Sequence, residues 1–173
     1  PVMISKGGHD LLKHTAIDAL KQEMLPLASI LTPTIPEAVV LTGHDIQNKE
    51  QMYEACLKLK KMGPQAVLLK GGHLSGDADD LYFDGKDCHW LTSKRIHTKH
   101  THGTGCTLSS AIAANLAKGT GMLEAVMAAK EYITLAIKHS FPLGFGHGPT
   151  HHFYDLYKQA GGDMMPQMKE VIK

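Results

Sequence analysis

"GPQAVLLKGGH", residues 63–73, decides the architecture. Gly63-Pro64 ends whatever helix precedes it, and Ala66–Leu69 is an unbroken apolar run that empties into Lys70-Gly71-Gly72. A continuous run, rather than an alternating one, suits a strand of a parallel sheet covered on both faces. Upstream, Asn48 and Gln51 offer a cap for a helix burying Met52, Ala55, Cys56, Leu59 and Met62. Before that, "ASIL" (28–31) reads as another strand. "TPTIPEAVVLTG" (32–43) follows, holding a short helix from Glu37 to Leu41 that Gly43 ends. At the start, "PVMI" reads as a short buried strand. Thr15 and Asp18 have capping-box spacing ahead of Ala16, Ala19, Leu20 and Leu27.

Downstream, "DDLYFDGKDCHWLTSKRI" (79–96) reads as a hairpin turning at Asp84-Gly85, with Trp90 as a packing residue. A small-residue helix from Cys106 to Ala117, a long one over about 123–139 and a weakly helical close complete the chain. The order β-α-β-α-β-hairpin-α-α predicts an α/β fold: an open, mostly parallel sheet with helices on both faces, in one domain over residues 1–173.

Composition narrows the function classes. A net charge of +1 on 173 residues carries no electrostatic footprint for nucleic acid. No apolar run reaches the length of a membrane span, and no signal peptide is legible. The chain opens on Pro1, as a processed product or a fragment would. Three cysteines, Cys56, Cys88 and Cys106, show no pairing pattern and fit a reduced, cytoplasmic protein.

The chemistry concentrates in "HTHGTGCTLSSAIAANLAKG" (100–119). Gly103 and Gly105 allow positive φ and close backbone approach, Thr104 lies between them, and a helix follows whose positive end faces the same spot. This pattern suits a phosphate; a plain loop-to-helix turn explains it equally well. Cys106 stands where a helix dipole favours a thiolate that could accept a proton, against the reading of a small buried residue. A zinc site from His100, His102 and Cys106 lacks a fourth ligand. Lys70 leaves a buried strand at its carboxyl end, where open α/β sheets bind ligands. Glu37 could hold Mg²⁺ directly or through water, or be a solvated first-turn carboxylate. Lys130 falls on the apolar stripe Leu123, Val126, Met127, Ile133, Ile137, where it either meets an anion or snorkels outward. "GHGPTHHF" (146–153) reads as a structural turn rich in histidine.

Five motifs in order, "PVM", "TPTIPEA", "LLKGGH", "HTHGTGCTLSSAIAA" and "GHGPTHHF", resemble the hydroxymethylpyrimidine/phosphomethylpyrimidine kinases of thiamin biosynthesis, members of the ribokinase-like superfamily. Most ribokinase relatives carry Asp where this chain has Cys106, which makes the resemblance specific. It covers essentially the whole chain but only the C-terminal two thirds of a family member. The resemblance implies ATP-dependent phosphorylation of a pyrimidine hydroxymethyl group and then of the monophosphate. Gly103, Thr104, Gly105 and Cys106 would form the anion hole, with Cys106 as base. Lys70 would contact ATP phosphates, Glu37 would act through Mg²⁺ and water, and Lys130 would lie near the nucleotide. It also implies a small-molecule pyrimidine partner; relatives of this fold often form homodimers. The chain departs from the family in starting without the Asp before Pro1, in carrying Thr34 where the family has Asn, and in lacking the N-terminal segment with the pyrimidine pocket. A pyridoxal-type vitamin kinase and a non-catalytic remnant that binds through an exposed sheet edge are the competing readings.

Overall fold

The computed structural model describes residues 1–4 and 8–161, which fall into two compact units dividing between Arg95 and Ile96. Each unit is built from its own local rules.

In the first unit, "PVMI" forms no strand. Ile4 makes a single bridge to Asp10, Val2 has φ of 53° and is exposed, and Met3 alone is buried. α1 (His14–Ala19) starts at Lys13 without a side-chain cap, so Thr15 lies inside the helix and the expected capping box does not form. The chain then widens into a π-helical turn, Leu20–Met24, and tightens into a 3₁₀ turn, Leu25–Leu27, around Pro26. That change of pitch breaks the expected apolar face: Leu25 is buried, while Leu27 is 81% exposed.

β1 (Ile30–Leu31) leads into α2 (Ile35–Thr42), which ends at Gly43 in the left-handed region, φ 71°. α3 (Lys49–Lys60) is capped as expected: Asn48 Oδ1 accepts from Gln51 N at 2.9 Å, and Gln51 Oε1 accepts from Gln47 N at 2.7 Å. Met52, Ala55, Cys56 and Leu59 line its buried face. β2 (Ala66–Leu69) is buried at every residue, as its unbroken apolar run requires. β3 (Asp80–Phe83) and β4 (Cys88–Leu91) form the hairpin. Its turn is longer than Asp84-Gly85 alone. Asp84 Oδ1 accepts from Lys86 N and Asp87 N, both at 2.8 Å, and these bonds hold its carboxyl below the usual carboxylate range.

The sheet order is β1-β2-β3-β4. β1 and β2 are parallel, with Ile30 opposite Ala66, while β2–β3 and β3–β4 are antiparallel. The sheet is therefore open but mixed among the described residues, which corrects the mostly parallel expectation. The reason is local: a hairpin needs only a tight turn, whereas a parallel return needs a crossover helix. α3 packs on β2 and β3, and the core gathers Leu31, Ile35, Leu41, Met52, Leu59, Val67, Leu69 and Leu81.

The second unit is helical. α4 (Thr104–Ala117) and α5 (Met122–Lys138) pack on each other around a glycine turn in which Gly119 has φ of 86°. α4 contributes Leu108 and Ile112; α5 contributes Ala125, Val126, Ala129, Ile133 and Ala136. Alanines at the contact let the two helices approach closely. The stripe read from sequence is thus shifted: Met127 is 53% exposed, and Leu123 and Ile137 are half-buried at its edge. α6 (Tyr154–Gln159) is short, and Tyr154 stacks on His139 at 3.5 Å.

Candidate functional site

The second unit holds the N-terminus of α4. Gly103 is its N-cap, with φ 79° and ψ 4°. A Cβ there would touch nothing within 4 Å, so the left-handed backbone, not crowding, demands glycine. Gly105 behaves differently from expectation. It is helical, because α4 begins two residues earlier than read from sequence, and it takes no positive φ. The result is a helix N-terminus rather than an alternating glycine nest. The Gly103 carbonyl is used by Thr107, whose N and Oγ1 donate at 2.9 and 2.8 Å. No side chain caps the first turn and no acidic residue stands in it. The amides of Gly105 and Cys106 therefore face outward at the positive end of a 14-residue helix, where about half an elementary charge collects. Thr104 and Gly105 are half-buried; Cys106 is exposed and its thiol is free.

The segment before Gly103 is strapped by "GHGPTHH". His102 bridges Pro149, and its N donates to Gly148 O at 3.2 Å. Gly148 N donates to His100 Nδ1 at 3.1 Å. A Cβ on Gly148 would lie 2.5 Å from His100 Nδ1 and 2.6 Å from Phe141 O, so only glycine fits. His147 Nδ1 is 2.9 Å from Lys99 O, and His151 packs edge-on against Phe141 and Tyr154. These histidines are structural. No group of three metal-binding side chains occurs among the described residues, which leaves the zinc reading without support. Lys130 sits half-buried beside Ala129 on α5, and its carbonyl accepts from Thr134 Oγ1 at 2.7 Å.

The first unit gathers Glu37 and Lys70 at the carboxyl ends of β1 and β2. Lys70 N donates to Pro33 O at 2.9 Å, and Lys70 bridges Thr34 as the parallel pairing continues past the strands. Thr34, the departure from the family's Asn, caps α2. Its Oγ1 accepts from Glu37 N at 3.4 Å and donates to Glu37 Oε2 at 3.0 Å, while Thr34 N donates to Oε2 at 2.8 Å. Met3 N donates to Oε1 at 2.9 Å. Glu37 is only 4% exposed, so it is not the solvated carboxylate that its helix position allowed. Burial raises its carboxyl pKa, but the hydrogen bonds from Thr34 and Met3, together with the positive amino terminus of Pro1, outweigh burial and set it below the ordinary value. Three donors occupy most of a carboxylate's roughly four acceptor directions. Among the described residues, the direction left open is on Oε1, which accepts from Met3 N alone and could face a water or a cation.

Two residues that sequence reasoning missed shape the chain after Lys70. Asp80, buried at 5% exposure, accepts from Gly71 N through Oδ1 at 2.9 Å. A Cβ on Gly71 would overlap the Asp79 carbonyl oxygen, so the first glycine of Lys-Gly-Gly serves close approach. Arg95 donates to three backbone carbonyls of the following loop. An aspartate opening a strand was a visible signal for the first; nothing local marks the second.

The phosphomethylpyrimidine kinase family model matches residues 1–151. The chain is 52% identical over 153 residues to the thiamine biosynthesis bifunctional protein ThiED of Geobacter sulfurreducens, covering 88% of this chain and 31% of that one. It is 46% identical to the hydroxymethylpyrimidine/phosphomethylpyrimidine kinase of Streptomyces coelicolor, covering 90% and 58%. A solved ADP complex of Bacillus subtilis pyridoxal kinase superposes with a TM-score of 0.79 at 42% identity, covering 83% of this chain and 57% of that one. The chain spans less than two thirds of the length of these relatives. The fold is ribokinase-like, and by sequence match the chain belongs to the phosphomethylpyrimidine kinase family.

Proposed function

We propose that this chain is the ATP-side portion of a kinase domain that phosphorylates 4-amino-5-hydroxymethyl-2-methylpyrimidine and then its monophosphate, in thiamin biosynthesis. The observation that carries the reading is the uncapped first turn of α4, with Gly103 left-handed before it and the free Cys106 thiol within it. Phosphoryl transfer asks a protein mainly for positioning and charge stabilisation, which outward amides at a helix N-terminus supply. In this reading Cys106 accepts the proton of the substrate hydroxyl. The hydroxyl oxygen bonds to the γ-phosphorus as the bond to the β-phosphate oxygen breaks, and ADP leaves. The Gly105 and Cys106 amides hold the transferring oxygens, and Gly103 and Thr104 set the turn. Lys70 contacts ATP phosphates and Lys130 lies near the nucleotide. Mg²⁺ would supply charge neutralisation to the phosphates, and Glu37 would be the residue that helps hold it through water. The names of the curated relatives and the ADP carried by the pyridoxal kinase neighbour support this assignment.

Both compact units belong to one kinase domain in this reading. Three free cysteines fit a reducing cytoplasm. No helix of the described residues is long and apolar enough to cross a membrane. Pyridoxal kinase activity is the second reading, favoured by the 42% identity to a pyridoxal kinase. The test is a Mg-ATP kinase assay of the full-length protein on both pyrimidines and on pyridoxal, repeated with Cys106→Ala. Loss of about 10²–10⁴ in kcat is expected for removing a general base. Preference for pyridoxal selects the second reading. Full activity without the thiol removes Cys106 from the chemistry.

A further inference from the structure

We propose that Arg95 is a positioning residue for nucleotide binding: its guanidinium fixes the loop that leaves β2 and so holds Lys70 where it meets ATP. The inference rests on the Lys70 role proposed above.

Lys70 N donates to Pro33 O at 2.9 Å, which ties its backbone to the chain leaving β1. On the other side the chain leaves through two glycines into residues 71–79, which contain no regular element. Arg95 reaches into this loop from 19 to 23 residues away. Its Nη1 donates to Gly72 O at 2.8 Å, Nη2 to Leu74 O at 2.6 Å and Nε to Gly76 O at 2.6 Å. Alternate carbonyls along five residues thus converge on one cation. Only a planar guanidinium offers donors in a fork wide enough for all three; an ammonium is a point charge with a smaller reach.

Among the described residues no carboxylate pairs with Arg95, so its charge is spent on the loop backbone rather than on a surface ion pair. The surrounding bonds tie the same loop back to the segment after β4 that carries Arg95, and to α3. Ala78 N donates to Ser93 O at 2.8 Å, Ser93 N donates to Asp79 Oδ1 at 3.1 Å, and Asp79 pairs with Lys49 at 2.7 Å. The clamped Gly72 carbonyl lies two residues from Lys70, and Gly71 between them is held by Asp80. A flexible lysine stem places its ammonium accurately only when the backbone at its root is fixed. A misplacement of about 1 Å at a reacting geometry costs on the order of 10²-fold in rate, so a partial loosening is expected to be measurable.

The experiment is a double-mutant cycle in the full-length kinase with Arg95→Lys, Arg95→Ala and Lys70→Ala, reading KM for ATP, KM for the pyrimidine and kcat. Arg95→Lys is expected to fold, to raise KM for ATP about tenfold, and to leave KM for the pyrimidine near its original value. In the Lys70→Ala background the same change is expected to add little, because the group it positions is gone. Should Arg95→Ala fail to fold, Arg95→Lys carries the cycle. Equal ATP shifts in both backgrounds, or parallel shifts in both KM values, would mean that Arg95 merely supports the fold and would overturn the inference while leaving Lys70 in its role. An unchanged KM for ATP in Lys70→Ala alone would overturn the Lys70 assignment and this inference with it.

Discussion

Replacing Glu37 with Gln keeps size and shape and removes one charge, so the cost is set by the hydrogen bonds around it. The carboxylate accepts from Thr34 N and Thr34 Oγ1 on one oxygen and from Met3 N on the other. The amide oxygen of Gln can keep the Thr34 pair, at neutral rather than charged strength. Its NH₂ then faces the Met3 N–H, donor against donor, in a site 4% exposed. Losing that bond costs about 2 kcal/mol, weakening the Thr34 pair and removing the charge from the α2 N-terminus about 1–2 more, and easier burial of an amide offsets part. The net expectation is about 2–3 kcal/mol near pH 7. With an m-value of about 2 kcal/mol/M, the urea midpoint falls by about 1 M.

The pH dependence gives the second handle. The folded-state carboxyl is held below its ordinary 4.5, so its stabilisation is present above that value and lost as pH falls through the lower folded value. The gap between wild type and Glu37→Gln should stay constant from neutral pH to about 5 and narrow only below about 4.5. A midpoint shift under about 0.2 M, or a gap that closes above pH 5, would refute the claim that the donors and charge around Glu37 outweigh its burial.

The glycines of the strap differ in what they tolerate. Gly148→Ala should cost about 1–3 kcal/mol in thermal melts because its Cβ would strike His100 and Phe141, whereas Gly146→Ala, with open space around it, should stay within about 0.5 kcal/mol. Equal melting points for the two would show that the strap is not tightly packed. Thiol titration near pH 8 of the full chain should label Cys106 readily and Cys88 more slowly, since desolvation raises the latter's pKa. Cys56, buried with its thiol pushed up to about 12, should react only on unfolding. Rapid native-state labelling of Cys56 would contradict the packing of α3.

What was legible in the sequence acts over a few residues. The Asn48–Gln51 cap, the Gly43 stop, the buried run Ala66–Leu69, the hairpin over 80–91 and the small-residue helix after Gly103 all follow from side-chain period and turn chemistry. Those are properties of neighbouring residues, so a linear reading can find them. The same reading failed where a local signal was outcompeted. Thr15 and Asp18 have capping spacing but lie inside α1, and Gly105 was absorbed by a helix that starts at Thr104. The family was legible too, because the five motifs are short and ordered.

Tertiary structure alone decided the partners. Glu37 could be read as a metal carboxylate or a solvated one; approach of Met3, 34 residues away, made it a buried acceptor. "GHGPTHH" could be read as a turn, but only its return to residues 99–102, across 48 residues, made it a strap. Arg95 carried no signal at all, since its three carbonyl partners are backbone atoms that any residue supplies. Sequence records which groups a chain owns and the short-range geometry they favour. Which donors and acceptors meet across dozens of residues depends on how buried surfaces close together, and that is settled only when the chain is folded.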